Sequence, residues 1–337
     1  MVFHRRLPAE WEPHQGTWLS WPHNRETWPD LLAQAEQALA QAVGYLRQGE
    51  VVHINVLDDT HQAHVQTLVG DGPNVHFHQV PTNDAWCRDH GAIFVLETTE
   101  TGQRLVATGW QYNAWGEKYP PWDRDRQVAR RMAEILGVPY LQLDPVLEGG
   151  AIESNGDGVL LAAKSCLLHP RRNPGFTTAT WERYFREYFG AERVFWLDAE
   201  IAGDDTDGHV DVTTRFVASD VLVAARETNP QDPNHPALEA NWHQLQTLAQ
   251  AQGWQLLALP MPQPVIHRGQ RLPASYANFY IGNTVVLVPT FNDPHDRVAL
   301  DLLRDCFPNR DVVGIDSRAL IEGLGGLHCL TQPVPAL

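Results

Sequence analysis

Lysine is nearly absent from this sequence of 337 residues and occurs only as Lys118 and Lys164. Arginine therefore carries most of the positive charge, no long basic run occurs, and the net charge is −16. Because nucleic-acid binding draws on cationic side chains that neutralise phosphates, this composition argues against a nucleic-acid partner. An acidic protein instead favours encounter with cationic ligands.

Long apolar runs and paired cysteines are also missing. No segment is apolar over the length that crosses a bilayer, so we expect no membrane association. The first eight residues lack the apolar region of a signal peptide, which favours a cytoplasmic location. The four cysteines form no CxxC pair, so they indicate neither a disulfide framework nor a zinc site. They are Cys87, Cys166, Cys306 and Cys329.

Strand and helix patterns mix along the whole chain without a linker or a break in composition, which favours one α/β domain over residues 1–337. No GxGxxG or P-loop motif follows a strand, so a nucleotide-binding fold is not indicated. Helices are predicted over residues 31–47, 60–68, 127–136, 177–188, 236–252, 295–306 and 316–321. Strands are predicted over residues 16–21, 51–57, 74–79, 92–97, 104–109, 158–163, 194–197, 215–219, 221–226, 255–259, 276–281, 284–289 and 311–315.

Five distinctive loops recur at intervals of 51 to 69 residues. One marker residue can be taken from each loop: Asp89, Glu148, His209, Asn278 and Cys329. The spacing is that of one loop per supersecondary unit in a repeated α/β architecture. We therefore predict five units around a centre, each presenting one loop to a shared site.

The loop that ends in Cys329 contains three glycines, Gly323, Gly325 and Gly326. Glycines allow a tight turn and close approach to the main chain, which suits an accessible thiolate nucleophile. A buried, inert cysteine beside a glycine turn is the alternative for this segment taken alone. The other loops favour the nucleophile, because they contribute carboxylates and His209, a residue suited to proton transfer.

Several carboxylates around one thiol suit a flat cationic electrophile such as a guanidinium, whose N–H fork matches carboxylate geometry. If the segment is an extended strand, His209 and Asp211 point to the same face. Cys87 is an alternative nucleophile, since the same alternation would place it on one face with Asp89, but it lacks a glycine-rich turn.

A metal site is the competing use of the acids around His209. Carboxylates and imidazole are common metal ligands, but the spacing is not that of an EF-hand and no HEXXH motif occurs. We therefore expect catalytic carboxylates and no metal. The residues concerned are Asp204, Asp205, Asp207, His209 and Asp211.

Taken together, these segments resemble the agmatine deiminases and the wider bacterial peptidylarginine-deiminase-like family of the guanidine-modifying superfamily. The resemblance covers nearly the whole chain and implies a five-bladed α/β-propeller that needs no metal or organic cofactor. The family is often oligomeric, so the resemblance allows a homo-oligomer. The motifs concerned lie at residues 11–18, 83–91, 113–123, 148–150, 207–211, 274–280 and 328–329.

The resemblance implies catalytic roles for five residues. Cys329 would attack the guanidinium carbon, and His209 would transfer protons to the leaving ammonia and from water. Asp89 and Asp211 would bracket the guanidinium nitrogens. Glu148 would pair with His209 or help to hold the substrate, or it would only cap the Gly149 turn.

Three further residues are expected at the substrate. Trp86 would pack on the guanidinium or its alkyl stem, where a cation–π contact can form; ordinary core packing is the alternative. Asp205 at the pocket mouth would receive the terminal ammonium of agmatine. Asn278 contacts the substrate or is a buried structural amide.

Agmatine is the expected substrate, giving N-carbamoylputrescine and ammonia through a thiouronium on Cys329. Free arginine would need a basic residue near its carboxylate, and peptidyl arginine would need an open cleft. A non-catalytic polyamine- or guanidine-binding protein is the third hypothesis, although binding alone needs no nucleophile. The glycine run at residues 323–327 departs from the family's commoner form, three glycines followed by Asn and Ile.

Overall fold

The computed structural model describes residues 4–198 and 200–337, and it confirms a mixed α/β fold. The strands are β1 (His4–Arg6), β2 (His14–Ser20), β3 (Val51–Val56), β4 (Val75–Gln79), β5 (Ile93–Thr99), β6 (Gly102–Gln111), β7 (Tyr140–Val146), β8 (Ile152–Ser154), β9 (Val159–Ala163), β10 (Arg193–Leu197), β11 (Thr214–Ala218), β12 (Val221–Arg226), β13 (Gln255–Pro260), β14 (Ile266–His267), β15 (Gln270–Arg271), β16 (Tyr280–Ile281), β17 (Val285–Thr290), β18 (Asp311–Asp316) and β19 (Thr331–Pro335). The α-helices are α1 (Leu32–Leu46), α2 (Asp59–Val69), α3 (Cys87–His90), α4 (Ala114–Glu117), α5 (Val128–Leu136), α6 (Lys164–Leu167), α7 (Thr178–Phe189), α8 (His235–Gln252), α9 (His295–Cys306) and α10 (Leu327–Leu330).

Five sheets share one topology. In each, an antiparallel pair is extended by a parallel strand that the chain reaches through a helix. The three-strand units are β5-β6-β7, β8-β9-β10, β11-β12-β13, β16-β17-β18 and β19-β2-β3. The last unit joins the two ends of the chain, because β19 pairs with β2. The strands β14 and β15 form a separate hairpin.

The crossover helices bury one apolar face each. In α1, Ala35, Leu39 and Val43 are buried at helical spacing, as the sequence pattern predicts. Helix α7 begins with a cap in which the Thr177 side chain accepts a hydrogen bond from the backbone N–H of Thr180, and it ends at Gly190 in a left-handed conformation. Within the described part of the chain, no helix has the length and apolar character needed to cross a membrane.

The marker residues occupy equivalent places in the five sheets. Each lies in the loop or short helix just before the first strand of the antiparallel pair. Asp89 precedes β5, Glu148 precedes β8, His209 precedes β11, Asn278 precedes β16 and Cys329 precedes β19. The equivalent placement brings five distant chain segments to one region.

Most predicted elements are confirmed to within a few residues, and two are wrong. The predicted strand at 276–281 is reduced to β16, because the residues before it form a loop that carries Asn278. The predicted helix at 316–321 begins inside β18, and only a 3-10 turn at Leu320–Gly323 follows. The sequence prediction missed β1, β7, β8, β19, the β14–β15 hairpin and the four-residue helices α3, α4, α6 and α10.

Candidate active site

Cys329 lies beside side chains from two other loops. Its Sγ atom is 3.3 Å from Nδ2 of Asn278 and 3.7 Å from Oδ2 of Asp211. The cysteine belongs to the four-residue helix α10 that follows the glycine run. Gly326 is required there, because a Cβ on it would come within 2.5 Å of Oδ1 of Asn278.

His209 lies between two carboxylates from other loops. Its Nε2 is 3.2 Å from Oε2 of Glu148, and its Nδ1 is 3.8 Å from Oδ1 of Asp89. The prediction that His209 and Asp211 share the face of a strand is wrong, because His209 precedes a 3-10 turn at Val210–Val212. The two side chains nevertheless flank one backbone position, since a Cβ on Gly150 would lie 2.5 Å from Nδ1 of His209 and 3.0 Å from Oδ2 of Asp211.

The charges of this cluster shift the pKa of each member. Burial opposes a charge on His209, but Asp89, Cys166 and Glu148 outweigh it and hold the pKa of the imidazole well above its usual value. Burial also opposes the charge of Glu148, but Arg172 and His209 lower the pKa of this carboxyl to about 2. A buried imidazolium–carboxylate pair results.

Arg172 and Cys166 complete the surroundings of Glu148, and neither was predicted as a site residue from the sequence. The Nε of Arg172 lies 2.7 and 2.9 Å from the two oxygens of Glu148, and its Nη1 lies 2.6 Å from Oδ2 of Asp207. The Sγ of Cys166 donates to Oε2 of Glu148 at 3.0 Å. Glu148 therefore pairs with His209, as one of the two predicted roles requires, and its side chain makes no hydrogen bond that caps the Gly149 turn.

Asp89 accepts two hydrogen bonds, from Nε1 of Trp115 at 3.0 Å and from the backbone N–H of Gly150 at 3.1 Å. Burial raises the pKa of this carboxyl to about 6, with the neighbouring carboxylates adding to the rise and His209 opposing it. Asp89 is thus a carboxylate whose charge is poorly compensated by the protein. A cation beside it would lower its pKa.

A cavity of about 1330 Å³ opens onto the thiol. Its lining includes Cys329, Asp89, Trp86 and Asp205. The other four predicted site residues are buried and do not line the cavity: Glu148, His209, Asp211 and Asn278. The cavity therefore gives a ligand access to the sulfur of Cys329 and to the carboxylate of Asp89.

Trp86 and Asp205 occupy different parts of the cavity. Trp86 is 3% exposed and packs against Trp28 and Trp115 with ring centroids 5.3 and 6.4 Å apart, so it lines the cavity while belonging to an aromatic cluster. Asp205 lies nearer solvent, where its carboxylate accepts hydrogen bonds from the Tyr119 hydroxyl and from Nζ of Lys118. Lys118 also pairs with Asp207.

Asn278 holds the backbone that carries the nucleophile. Its Oδ1 accepts a hydrogen bond from the N–H of His328 at 3.1 Å, and its Nδ2 points at the sulfur of Cys329. Asn278 is therefore both a structural amide and a neighbour of the thiol. It does not line the cavity.

Of the two candidate nucleophiles, Cys329 lines the cavity and Cys87 does not. Cys87 lies in helix α3, so the prediction that it shares a strand face with Asp89 is wrong. Burial raises the pKa of Cys87 to about 12, and the residue does not line the cavity. Burial and the carboxylates of Asp211 and Asp89 also raise the pKa of Cys329 well above its usual value. That thiol therefore needs a cation nearby before it ionises readily.

The acids of the 204–211 loop do not converge as a set. Asp204 accepts hydrogen bonds from the backbone of Thr206 and Gly208, whereas Asp207 pairs with Arg172 and Lys118. Among the described residues, one donor group of this region is compact enough to hold a metal ion: Glu148, Cys166 and His209. The Arg172 guanidinium already bonds both oxygens of Glu148, which opposes a cation there.

Comparison with known proteins gives the family. The model of the Porphyromonas-type peptidyl-arginine deiminase family matches residues 6–335. The chain belongs to this family. A relative from Legionella pneumophila (strain Paris), named "Putative agmatine deiminase", is 33% identical over 98% of this chain and 95% of its own length.

Solved structures agree with this membership of the peptidyl-arginine deiminase family. A cysteine-to-serine variant of C. jejuni agmatine deiminase with substrate bound is 29% identical, with a TM-score of 0.90 over 98% of this chain and 96% of that one. The agmatine deiminase of Enterococcus faecalis is 28% identical, also with a TM-score of 0.90, over 98% and 96%.

Proposed function

We propose that this protein is an agmatine deiminase, which hydrolyses the guanidinium of agmatine to N-carbamoylputrescine and ammonia. The observation that carries the proposal is a thiol that lines a large cavity and is flanked by carboxylates, one of which, Asp211, has an oxygen without a hydrogen-bond partner. Among the described residues, Oδ1 of Asp211 and Nδ1 of His209 are buried and have no hydrogen-bond partner. A bound guanidinium would supply donors for the first, and the leaving nitrogen or a water would meet the second.

Binding would depend on Asp89 and Asp211. Both carboxylates lie close enough to Cys329 to raise the pKa of its thiol, so a guanidinium held by both would place its carbon at the sulfur. The cation would then offset the negative field at Cys329 and favour the thiolate. The substrate thus supplies the charge that activates its own nucleophile.

The chemistry would proceed in two halves. The Cys329 thiolate attacks the guanidinium carbon, the imidazolium of His209 gives a proton to the departing nitrogen, and ammonia leaves a thiouronium on the sulfur. Water then attacks the same carbon, neutral His209 takes its proton, and the carbon–sulfur bond breaks to give the ureido product and the thiolate. Glu148 stabilises the charged form of His209 throughout.

Agmatine is favoured over arginine by the cavity mouth. Asp205 offers a carboxylate there, whereas the ammonium of Lys118 is already held by Asp205 and Asp207. The guanidinium of Arg268, also at the mouth, pairs with Asp30. The carboxylate of arginine would have to open these ion pairs, and the ammonium of agmatine would compete with Lys118 for Asp205. The lining still favours agmatine, because it contains seven carboxylates against four lysine and arginine side chains.

The five sheets with one topology support a five-bladed α/β-propeller as the finer description of the fold. We infer that residues 1–337 form one such domain, since β19 pairs with β2 and joins the last unit to the first. The five marker residues would then surround the pseudo-symmetry axis. Removal of the C-terminal strand β19 should accordingly abolish soluble folded protein.

Ammonia release from agmatine, arginine and a blocked arginine peptide tests the proposal. We expect kcat/KM to be highest for agmatine, by at least about tenfold. Asp205→Asn should narrow that preference by raising KM for agmatine with little change for arginine. Equal or higher kcat/KM for arginine or the peptide would favour the alternative deiminases. Tight binding of agmatine without ammonia release would favour a binding protein.

A further inference from the structure

Glu10 is a buried carboxylate outside the residues assigned above. Its side chain is 7% exposed, and its two oxygens accept hydrogen bonds from four donors. Oε2 accepts from Nη2 of Arg88 at 2.7 Å and from Nε2 of His328 at 2.9 Å. Oε1 accepts from Nη2 of Arg215 at 2.9 Å and from the backbone N–H of Ile281 at 2.9 Å. Only an ionised carboxylate can satisfy four donors in this way.

His328 connects this carboxylate to the candidate active site. While Nε2 faces Glu10, its Nδ1 lies 2.7 Å from Oδ2 of Asp211. Each ring nitrogen thus faces a carboxylate oxygen, and only the imidazolium form can donate a hydrogen bond to both carboxylates. The peptide chain joins this cation directly to Cys329.

The surroundings keep both carboxylates charged. Burial opposes the charge of Glu10, but His328, Arg215 and Arg88 outweigh it and hold its pKa well below the usual value. Burial likewise opposes the charge of Asp211, and His328 again contributes most to lowering its pKa. Arg88 also donates from Nε to the carbonyl oxygen of His328 at 3.3 Å, which fixes the backbone.

The contact between His328 and Oδ2 of Asp211 fixes the direction in which the other oxygen, Oδ1, points. Oδ2 is held by His328 and lies 3.7 Å from the sulfur of Cys329, whereas Oδ1 is buried and unpartnered. If Oδ2 were released, the carboxylate could rotate, and Oδ1 would lose its fixed direction. A group that fixes Asp211 therefore controls whether a guanidinium nitrogen can be received.

We propose that Glu10 and His328 are positioning residues of the reaction: Glu10 holds His328 as an imidazolium, and His328 fixes Asp211 so that its Oδ1 receives the guanidinium. The proposal rests on the proposed deiminase function for its kinetic consequence. Its structural part, the charged state of His328, does not. Neither residue contacts the substrate in this scheme.

Glu10→Gln tests the contact between Glu10 and His328, with Glu153→Gln as the matched control. Glu153 is also buried and also pairs with Arg215, at 3.0 Å, but it accepts no hydrogen bond from His328. Glutamine at position 10 presents an amide NH2 to two of the four donors. We expect kcat/KM for agmatine to fall about tenfold or more through a higher KM in Glu10→Gln, because a charged hydrogen bond is lost. In Glu153→Gln it should change by less than about threefold.

Two substitutions of His328, each of which places an amide nitrogen where one ring nitrogen was, test the contact between His328 and Asp211. In His328→Asn the amide nitrogen replaces Nδ1, so a donor to Asp211 remains; in His328→Gln it replaces Nε2, so that donor is lost. We expect KM to rise at least about tenfold more in His328→Gln than in His328→Asn. If both substitutions unfold the protein, the Glu10→Gln and Glu153→Gln comparison decides alone.

Nitrogen-15 NMR of histidine-labelled protein reads the charge of His328 without any turnover, with the signal assigned by its loss in His328→Asn. In the buffer of the activity assay, we expect two protonated ring nitrogens in the wild type and in Glu153→Gln, and a neutral ring in Glu10→Gln. A neutral His328 in the wild type, or equal KM values in Glu10→Gln and Glu153→Gln, would overturn the proposal. No ammonia release by the wild type would instead overturn the proposed function, and the NMR result would still decide the charge state.

Discussion

Nε2 of His209 lies 3.2 Å from Oε2 of Glu148, and neither side chain is exposed to solvent. Both members of the pair are charged, because each also lies beside a further group of opposite charge. Arg172 supports the carboxylate, and Asp89 supports the imidazolium. The site therefore depends on side chains that never meet the substrate as well as on those that do.

Arg172→Gln should destabilise the protein, since it leaves the buried carboxylate of Glu148 without its guanidinium. We expect the free energy of unfolding at pH 7 to fall by about 3–5 kcal/mol, measured in urea. The pKa of Glu148 is lowered in the folded state, so its charge contributes stability above about pH 4.5. That contribution is lost as the pH falls toward 2.

Arg171→Gln is the control for that substitution, because Arg171 is the exposed neighbour in sequence. Its unfolding free energy should stay within about 0.5 kcal/mol of the wild type. Equal stability of the two variants would show that Glu148 does not depend on Arg172. The difference in stability between the variants should shrink at low pH, where Glu148 is protonated in both.

Asp89 should set the acid limb of the pH profile. The pKa of this carboxyl is raised to about 6, so it is protonated below that pH and cannot then pair with a guanidinium. We expect kcat/KM for agmatine to fall as the pH drops through about 6. Asp89→Asn should lower kcat/KM by about a hundredfold or more and remove this limb.

Asp144→Asn controls for the loss of one acidic charge, because Asp144 is exposed on β7. Its pH profile should match that of the wild type. If Asp89→Asn kept the same acid limb, the group that titrates there would be another residue. The assignment of Asp89 to substrate binding would then fail.

Gly150 is needed for its lack of a side chain. A Cβ there would lie 2.5 Å from Nδ1 of His209 and 3.0 Å from Oδ2 of Asp211, closer than real contacts allow. Gly150→Ala should therefore displace both groups and lower kcat by about a hundredfold. Gly44→Ala is the control, since a Cβ at Gly44 meets nothing within 4 Å. It should keep full activity and add about 0.5–1 kcal/mol of helix stability.

The sequence predicts the repeated architecture because each unit carries its own apolar pattern. The buried positions Ala35, Leu39 and Val43 fix α1 by their spacing alone. Strands such as β8 have only three residues, too few for a pattern, and were missed. The loop before β16 was predicted as strand because its aromatic residues resemble one, although they pack as an irregular segment.

The sequence also predicts which loops meet, but not how the side chains support one another. His209, Glu148 and Asp89 could be identified because polar residues stand out in each loop. Glu10 and Arg172 could not, because a single buried acid or arginine has no local pattern and its partners lie far along the chain. Helix α3 has only four residues, too few to give a helical pattern in the sequence, so the strand geometry assumed for Cys87 was wrong.

The central claim, that Cys329 forms a covalent bond with the guanidinium carbon, is tested most directly by acid-quenching the protein during turnover of agmatine and mapping its peptides by mass spectrometry. We predict an adduct equal to agmatine less ammonia on the peptide that contains Cys329. It should persist in Cys87→Ala, and both the adduct and ammonia release should be absent in Cys329→Ser. Full turnover by Cys329→Ser, or an adduct on the Cys87 peptide, would contradict the account.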